Sequence, residues 1–208
     1  GLGLGSLGVP QGGLLVLNNR LLLNKAWDDR VGVAGLIAAL QHLRDRPHPN
    51  TVIAVGTVQE EVGSRGAATA MELIRPDLAL ILEGPPADDY PGLSSDPPQG
   101  ALGQGVQIRL ADPTIIVPPT WARWAIELAD KHGIPYQVAV RRTGATDARV
   151  IHLAQGGIPT LILGVPVRYA HAPVGLISYE DFTALVALTC AIIQEFDAEL
   201  LRRLTVKP

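Results

Sequence analysis

Four carboxylates and one histidine stand at places in this sequence where their side chains could meet and do chemistry together. They are Asp28, Glu60, Glu61, Glu83 and His171. Three apolar runs precede four of them: TVIAVGTV precedes the glutamate pair, LALIL precedes Glu83, and TLILG lies shortly before His171. Functional groups of open α/β sheets gather outside the carboxyl ends of the strands. We therefore expect these side chains at one edge of a sheet.

The chemistry of this set points to divalent cations. Carboxylates that share one edge repel one another unless a cation offsets their charge, and a set of carboxylates and imidazole without thiolate suits Zn²⁺ or Co²⁺ and is compatible with Mn²⁺. In an extended segment, neighbouring side chains point to opposite sides. One of Glu60 and Glu61 can therefore ligate a metal while the other accepts a proton from a water that attacks a carbonyl.

Each of these residues also has an ordinary structural explanation. Asp28 and its neighbour Asp29 stand where an acid caps a helix and complements its dipole. Glu60 and Glu61 fit solvated loop charges, Glu83 before Gly-Pro-Pro fits a turn, and His171 fits a loop histidine. The functional interpretation depends on their convergence in space.

The elements that must position these residues alternate along the chain. We predict strands at 14–17, 51–58, 78–82, 106–110, 136–140 and 160–163, and helices at 28–44, 65–74, 119–132, 147–154 and 179–203, with a Pro- and Gly-rich loop at 85–105. Strands that alternate with long helices imply a three-layer α/β/α sandwich around a mixed, mostly parallel sheet.

Composition excludes several classes of protein. The chain has 208 residues, of which 47% are hydrophobic and 18% charged, so it is not a disordered polypeptide. Its net charge of −3 and its lack of a basic cluster argue against nucleic acid as a partner. No apolar run reaches the roughly 18 residues of a membrane span, and a single cysteine rules out an internal disulfide and a cysteine zinc site. No signal-peptide pattern is visible, and we expect a cytoplasmic protein.

Four segments together resemble a known family. NKAWDDRVG (24–32), TVQEEVGSRGA (57–67), EGPPADDYPG (83–92) and TGATDARVIHLAQGGIPTLILGVPVRYAHAPV (143–174) resemble, in order and spacing, the glutamyl and tetrahedral aminopeptidases, which are dinuclear metallopeptidases. The resemblance implies a zinc-peptidase-like fold, two divalent metal ions (Zn or Co, with Mn as a further candidate) and a peptide substrate.

The resemblance also implies a role for each residue. Asp28 corresponds to the carboxylate that bridges the metals and is followed by a cis peptide bond. Glu60 corresponds to the general base. Glu61, Glu83 and His171 correspond to metal ligands. Asp147 corresponds to a residue that supports the site, with a helix cap as its alternative.

One motif of the family is missing. The family takes a further metal histidine from a His-x-Asp motif, and none of the five histidines here is followed by any residue and then Asp. Residues 1–23 resemble the end of the inserted dimerisation domain, and residues 24–208 the C-terminal part of the catalytic domain. We therefore expect a homo-oligomer for the full-length protein and weakened assembly for this chain.

Two alternatives to an aminopeptidase stay open. The first is a catalytically impaired or inactive paralogue, kept for peptide binding or assembly, that lacks the first metal histidine. The second is a carboxypeptidase or deacylase that uses the same metal chemistry on another amide bond.

Overall fold

The computed structural model describes residues 3–92 and 99–205 and shows two sheets. The smaller sheet is antiparallel and has the order β1 (Leu15–Leu17), β2 (Leu21–Asn24), β8 (Gly175–Ser178). The larger one has the order β3 (Ala79–Glu83), β7 (Thr160–Gly164), β4 (Val106–Asp112), β5 (Ile115–Ile116), and β6 (Tyr136–Val140) also pairs with β4. Its parallel ladders, β3 with β7 and β4 with β6, are longer than its antiparallel ones.

Six α-helices accompany the sheets within residues 3–92 and 99–205. They are α1 (Trp27–Leu43), α2 (Arg65–Ile74), α3 (Pro119–His132), α4 (Ala148–Ile151), α5 (Tyr179–Glu195) and α6 (Ala198–Thr205). Among the described residues, no helix combines the length and the apolar character needed to cross a membrane.

The side chains of β3 point alternately to the two faces of the larger sheet, and helices cover both faces. Ala79 and Ile81 pack with Met71 of α2 and Ile151 of α4 in one cluster. Leu80 and Leu82 pack with the main core, which contains residues of α1, α3 and α5 and which Ile81 also contacts. Successive side chains of a strand point to opposite faces. The fold is therefore the three-layer α/β/α sandwich with a mixed sheet that the sequence predicts.

The predicted strand over 51–58 is wrong. This segment has no strand assignment, and Ile53 and Val58 are 57% and 66% exposed. Its β-branched residues favour an extended backbone, but a strand needs a neighbour to complete its hydrogen bonds. None of the described strands pairs with 51–58.

Several element boundaries also differ from the prediction. The helix expected over 179–203 is two helices, because the chain leaves helical geometry at Phe196 and Asp197 starts α6 by accepting a hydrogen bond from the Leu200 N–H at 2.7 Å. The helix expected over 147–154 shortens to α4 and a separate 3₁₀ turn. The loop expected over 85–105 includes residues 93–98, which lie outside the described residues.

Candidate active site

The five candidate residues line one cavity of about 790 Å³. Asp28, Glu60, Glu61, Glu83 and His171 all contribute to its wall. They come from the start of α1, the loop before α2, the end of β3 and the loop after β7. The convergence that the sequence predicts is therefore present in the structure.

The start of α1 is shaped to present its two acids. Asp28 and Asp29 have non-helical backbone angles inside the helix, and the peptide bond between them is cis, as the family resemblance implies. Neither residue is the N-cap of α1, a position that Ala26 occupies. Asp29 does accept a hydrogen bond from the Gly32 N–H at 3.1 Å, so its cap-like role is partial.

Two glycines let α1 approach the end of β3. A Cβ at Gly32 would lie 2.5 Å from the carbonyl oxygen of Leu82 and closer still to a carboxylate oxygen of Asp29. A Cβ at Gly84 would lie 3.1 Å from the Cα of Asp28. This close contact brings Glu83, the last residue of β3, beside the aspartate pair.

The tightest acidic group consists of Asp28, Asp29 and Glu83. Each offers a carboxylate oxygen, and these oxygens lie within 4.8 Å of one another. Burial, which disfavours the charged form, is the main cause that raises the pKa of all three, and like charges raise it further. The pKa of Asp29 rises to about 8, and that of Glu83 well above its usual value.

This arrangement fits a divalent cation. Three partly buried carboxylates at such separation repel one another, and a divalent cation would offset that repulsion through hard oxygen ligands. Sequence reasoning assigned a role only to the first aspartate of the pair. The structure adds Asp29 to the group. Because Asp28 and Asp29 are adjacent in the sequence, their spacing to the other residues did not show that both would take part.

His171 lies beside Asp28 of this group. Its Nε2 lies 3.2 Å from Oδ2 of Asp28, and its side chain is 73% exposed. An imidazole beside a carboxylate in a cavity wall is suited to ligate a cation through nitrogen. His171 and Glu61 line the cavity without belonging to the tight group of three.

Glu60 is placed beside Asp147. Burial raises the pKa of Glu60, and the charges of Asp147 and Glu61 raise it further. Asp147 is buried and accepts a hydrogen bond from the Thr57 hydroxyl, and its side chain makes no capping bond to α4. Asp147 therefore occupies the N-cap position of α4, but its carboxylate bonds to Thr57 and not to the helix. A carboxylate with a raised pKa is a stronger base.

Three arginines also line the cavity, and the sequence analysis singled out none of them. They are Arg109, Arg141 and Arg149. Arg109 is 5% exposed, and its charge lowers the pKa of Asp28 and Glu83 against the stronger effect of burial. The sequence does not show which residues lie near an arginine in space, so an arginine in a strand or helix does not by itself indicate a site.

Comparisons with known proteins agree on one family. A family model described as M42 glutamyl aminopeptidase matches residues 1–188. The glutamyl aminopeptidase of Lactococcus lactis subsp. cremoris is 34% identical over 92% of this chain and 55% of its own length. The lysyl aminopeptidase of Pyrococcus furiosus is 32% identical over 81% of this chain and 47% of its own length. The chain thus spans about half the length of these relatives.

Solved structures show the same similarity. The TET aminopeptidase of a marine sediment archaeon of the Thaumarchaeota superposes with a TM-score of 0.90 at 34% identity, over 93% of this chain and 55% of that one. The TET1 peptidase of Pyrococcus horikoshii, which can assemble into a tetrahedron or a large octahedral shell, gives a TM-score of 0.78 at 33% identity over 89% and 54%.

Proposed function

The chain belongs to the M42 glutamyl aminopeptidase family, and from this we propose that it forms the larger, C-terminal part of the catalytic domain of a metal-dependent aminopeptidase. The observation that carries the proposal is the convergence of Asp28, Glu60, Glu61, Glu83 and His171 on one cavity. Its reaction is the hydrolysis of the first peptide bond of a peptide.

The ligands of the proposed metal centre are Asp28, Glu61, Glu83 and His171. Their oxygen and nitrogen donors suit Zn²⁺ or Co²⁺. When bound, such cations supply Lewis acidity, which polarises the peptide carbonyl and makes a water more acidic. Asp28 would hold metal together with Glu83 and His171, because it lies near both.

Glu60 is the proposed general base. It lines the cavity beside the acidic group, and its raised pKa favours uptake of the proton of the attacking water. Glu60 then passes this proton to the amine that leaves. The Thr57 hydroxyl donates a hydrogen bond to Asp147, whose charge contributes to the raised pKa of Glu60.

The acidic wall also accounts for removal of terminal residues. A free α-amine is a hydrogen-bond donor and would be attracted to carboxylate oxygens of the cavity wall. A peptide with a blocked amino end lacks this attraction. Blocked peptides therefore separate an aminopeptidase from the carboxypeptidase or deacylase alternative.

Metal content and activity together test the proposal. The protein that carries this chain is loaded with Zn²⁺ or Co²⁺, its bound metal is counted, and hydrolysis of aminoacyl anilides with free and acetylated amino ends is assayed. Two bound metals and cleavage of the free substrates only are the expected results. Absence of bound metal and of cleavage would favour the inactive paralogue, for which the missing His-x-Asp motif is the specific observation.

Assembly and location extend the proposal. The TET1 peptidase, similar to this chain in structure, forms closed particles, and we propose a homo-oligomer for the full protein. The division into a remnant at 1–23 and a catalytic part at 24–208, and the cytoplasmic location, stay predictions.

A further inference from the structure

The loops that follow β3 and β7 run side by side at the cavity. The N–H of Ala87 donates to the carbonyl of Val167 at 2.8 Å, and the N–H of Val167 donates to the carbonyl of Pro85 at 2.8 Å. These bonds continue the parallel pairing of the two strands beyond their ends. The first loop starts after Glu83 and the second leads to His171, so two of the proposed ligands stand on segments that are joined to each other.

A bidentate ion pair lies at the end of this joined region. Arg168 donates from Nε to Oδ1 of Asp89 at 2.9 Å and from Nη2 to Oδ2 at 2.6 Å, across 79 residues of sequence. The side chains of Arg168 and Asp89 are 27% and 12% exposed, so solvent screens the pair only in part. Two parallel hydrogen bonds fix the direction of the contact as well as its length.

The carboxylate of Asp89 is also held by a third segment of the chain. Its Oδ2 accepts a hydrogen bond from the Leu102 N–H at 2.9 Å. Burial raises the pKa of Asp89, but the hydrogen bonds from Arg168 and Leu102 lower it more, so this pKa lies below its usual value. Asp89 is therefore a charged and firmly held partner for Arg168 near neutral pH.

Arg168 is the first residue of the segment that turns at His171. Its N–H donates to the carbonyl of Leu176, and its carbonyl accepts from the N–H of Leu176, each at 2.9 Å. The carbonyl of Tyr169 then accepts a hydrogen bond from the Ala172 N–H at 3.0 Å, which closes a turn around His171. The turn is therefore attached to β8 through a single residue.

Side chains attach the same turn to the loop after β3. Backbone bonds to one residue fix the path of the chain but allow the turn to rotate about that contact, and a side-chain bond on the other side opposes such rotation. Arg168 supplies this bond through Asp89, and the ring of Tyr169 lies 5.4 Å from that of Tyr90. The side chain of His171 is 73% exposed, so packing alone does not hold its imidazole.

We propose that Asp89 is a positioning residue for the metal site. Through its ion pair with Arg168, it holds the turn 169–172 in place. The His171 imidazole thereby stays beside the Asp28 carboxylate, at the observed 3.2 Å. The inference rests on the function proposed above, in which His171 is a metal ligand. Neither member of the ion pair lines the cavity, so its effect on the site must pass through the turn.

The first test needs no metal. The structure of the metal-free protein that carries this chain is determined with and without Asp89→Ala, and exchange of the Ala172 amide is followed by NMR. In Asp89→Ala we expect Nε2 of His171 to leave hydrogen-bond range of Asp28, and the Ala172 amide to exchange at least about tenfold faster, as for the loss of a charged hydrogen bond. An unchanged distance between His171 and Asp28 would overturn the inference.

Metal affinity is the second measurement. By equilibrium dialysis, Asp89→Ala should lower Zn²⁺ affinity about tenfold, the lower end of the range for outer partners of metal ligands, because Asp89 acts on His171 through another residue. Arg168→Lys keeps the charge and loses the second parallel bond, so we expect a smaller loss. The visible spectrum of the Co²⁺-loaded protein should change in Asp89→Ala in the same direction as in His171→Ala, which loss of stability alone would not cause.

A double-mutant cycle tests whether the two residues act as a pair. Because both single variants break the same contact, Asp89→Ala combined with Arg168→Ala should lose no more Zn²⁺ affinity than the weaker-binding single variant. Additive losses would show that the two residues act separately and would overturn the inference.

An ion pair outside the cavity is the matched control. Glu195 lies 2.7 Å from Nζ of Lys131, and neither residue lines the cavity. Glu195→Ala should leave Zn²⁺ affinity and exchange of the Ala172 amide unchanged. Equal changes in Glu195→Ala and Asp89→Ala would assign the effect to lost stability and contradict a positioning role.

Failure of the proposed function gives a different result. A displaced His171 imidazole in Asp89→Ala, in a protein that binds no metal or whose Zn²⁺ affinity does not change, would contradict the proposed metal centre and still support the positioning of His171 by Asp89.

Discussion

His171 Nε2 lies 3.2 Å from a carboxylate oxygen of Asp28, although 143 residues separate them in the chain. The loop after β7 and the start of α1 therefore meet at one point of the cavity wall. We propose that this pair holds a cation between the imidazole nitrogen and the carboxylate oxygen.

Loss of the His171 imidazole should weaken metal binding. We expect His171→Ala to lower Zn²⁺ affinity at least about tenfold, because loss of even the outer partners of metal ligands costs 10- to 100-fold. Equilibrium dialysis against a metal buffer measures the change. His42→Ala, an exposed histidine of α1 outside the cavity, is the control. Equal affinities of the two variants would remove His171 from the proposed ligands.

Replacement of Glu60 should affect the chemical step and spare substrate binding. Glu60→Gln keeps the shape of the side chain and removes its basicity, so we expect kcat to fall about 10²- to 10⁴-fold with KM little changed. Steady-state hydrolysis of an aminoacyl anilide by the metal-loaded protein measures both constants. Glu72→Gln, on the exposed face of α2, should leave them unchanged. Retained kcat in Glu60→Gln would assign the base to another group.

Asp181 should make the free energy of unfolding decrease as pH rises. Its carboxylate accepts hydrogen bonds from Gly103 and Gly105 at 2.8 and 2.7 Å, yet burial raises its pKa from 3.8 to about 6. Between these values the folded state holds a proton that the unfolded state has released. The contribution of Asp181 to the free energy of unfolding therefore decreases as pH rises from about 4 to about 6.

The size of this effect can be measured by difference. A shift of this extent corresponds to about 3 kcal/mol. Denaturant unfolding at several pH values should show a decline with pH that is shallower by this amount in Asp181→Asn, while Asp45→Asn, at an exposed position, follows the unchanged protein. Parallel curves for Asp181→Asn and the unchanged protein would contradict the raised pKa.

Addition of a methyl group at Gly32 should disturb the acidic group. The new Cβ would press against the Leu82 carbonyl and the Asp29 carboxylate, so α1 must move away from β3. We expect about 1–3 kcal/mol of destabilisation, together with weaker metal binding, from thermal unfolding and equilibrium dialysis. At Gly56 a Cβ meets nothing within 4 Å, so Gly56→Ala is the matched control. A Gly32→Ala variant as stable as the control would show that the helix and the strand can separate without cost.

Local sequence features, such as Pro, Gly and apolar runs, were sufficient to predict most of the helices and strands. Pro119 at the start of α3 and Gly133 after its end set bounds that the structure reproduces. The apolar runs of β3 and β7 are strands of the larger sheet, β7 fully buried and β3 mostly half-buried. Pro and Gly act through their own backbone angles, and a continuous apolar run needs burial wherever it lies. The positions of Glu60, Glu61, Glu83 and His171 after apolar runs predicted that these four side chains would line one cavity.

Pairing and charge partners were decided by the tertiary structure. Residues 51–58 have the composition of a strand but pair with none of the described strands, and Asp29 joins Asp28 and Glu83 because Gly32 and Gly84 permit close approach. Hydrogen-bond ladders, electrostatic repulsion and ion pairs depend on distances between residues far apart in the chain. Residue type and spacing determine which groups can react, and only the folded backbone determines which of them lie within reach of one another.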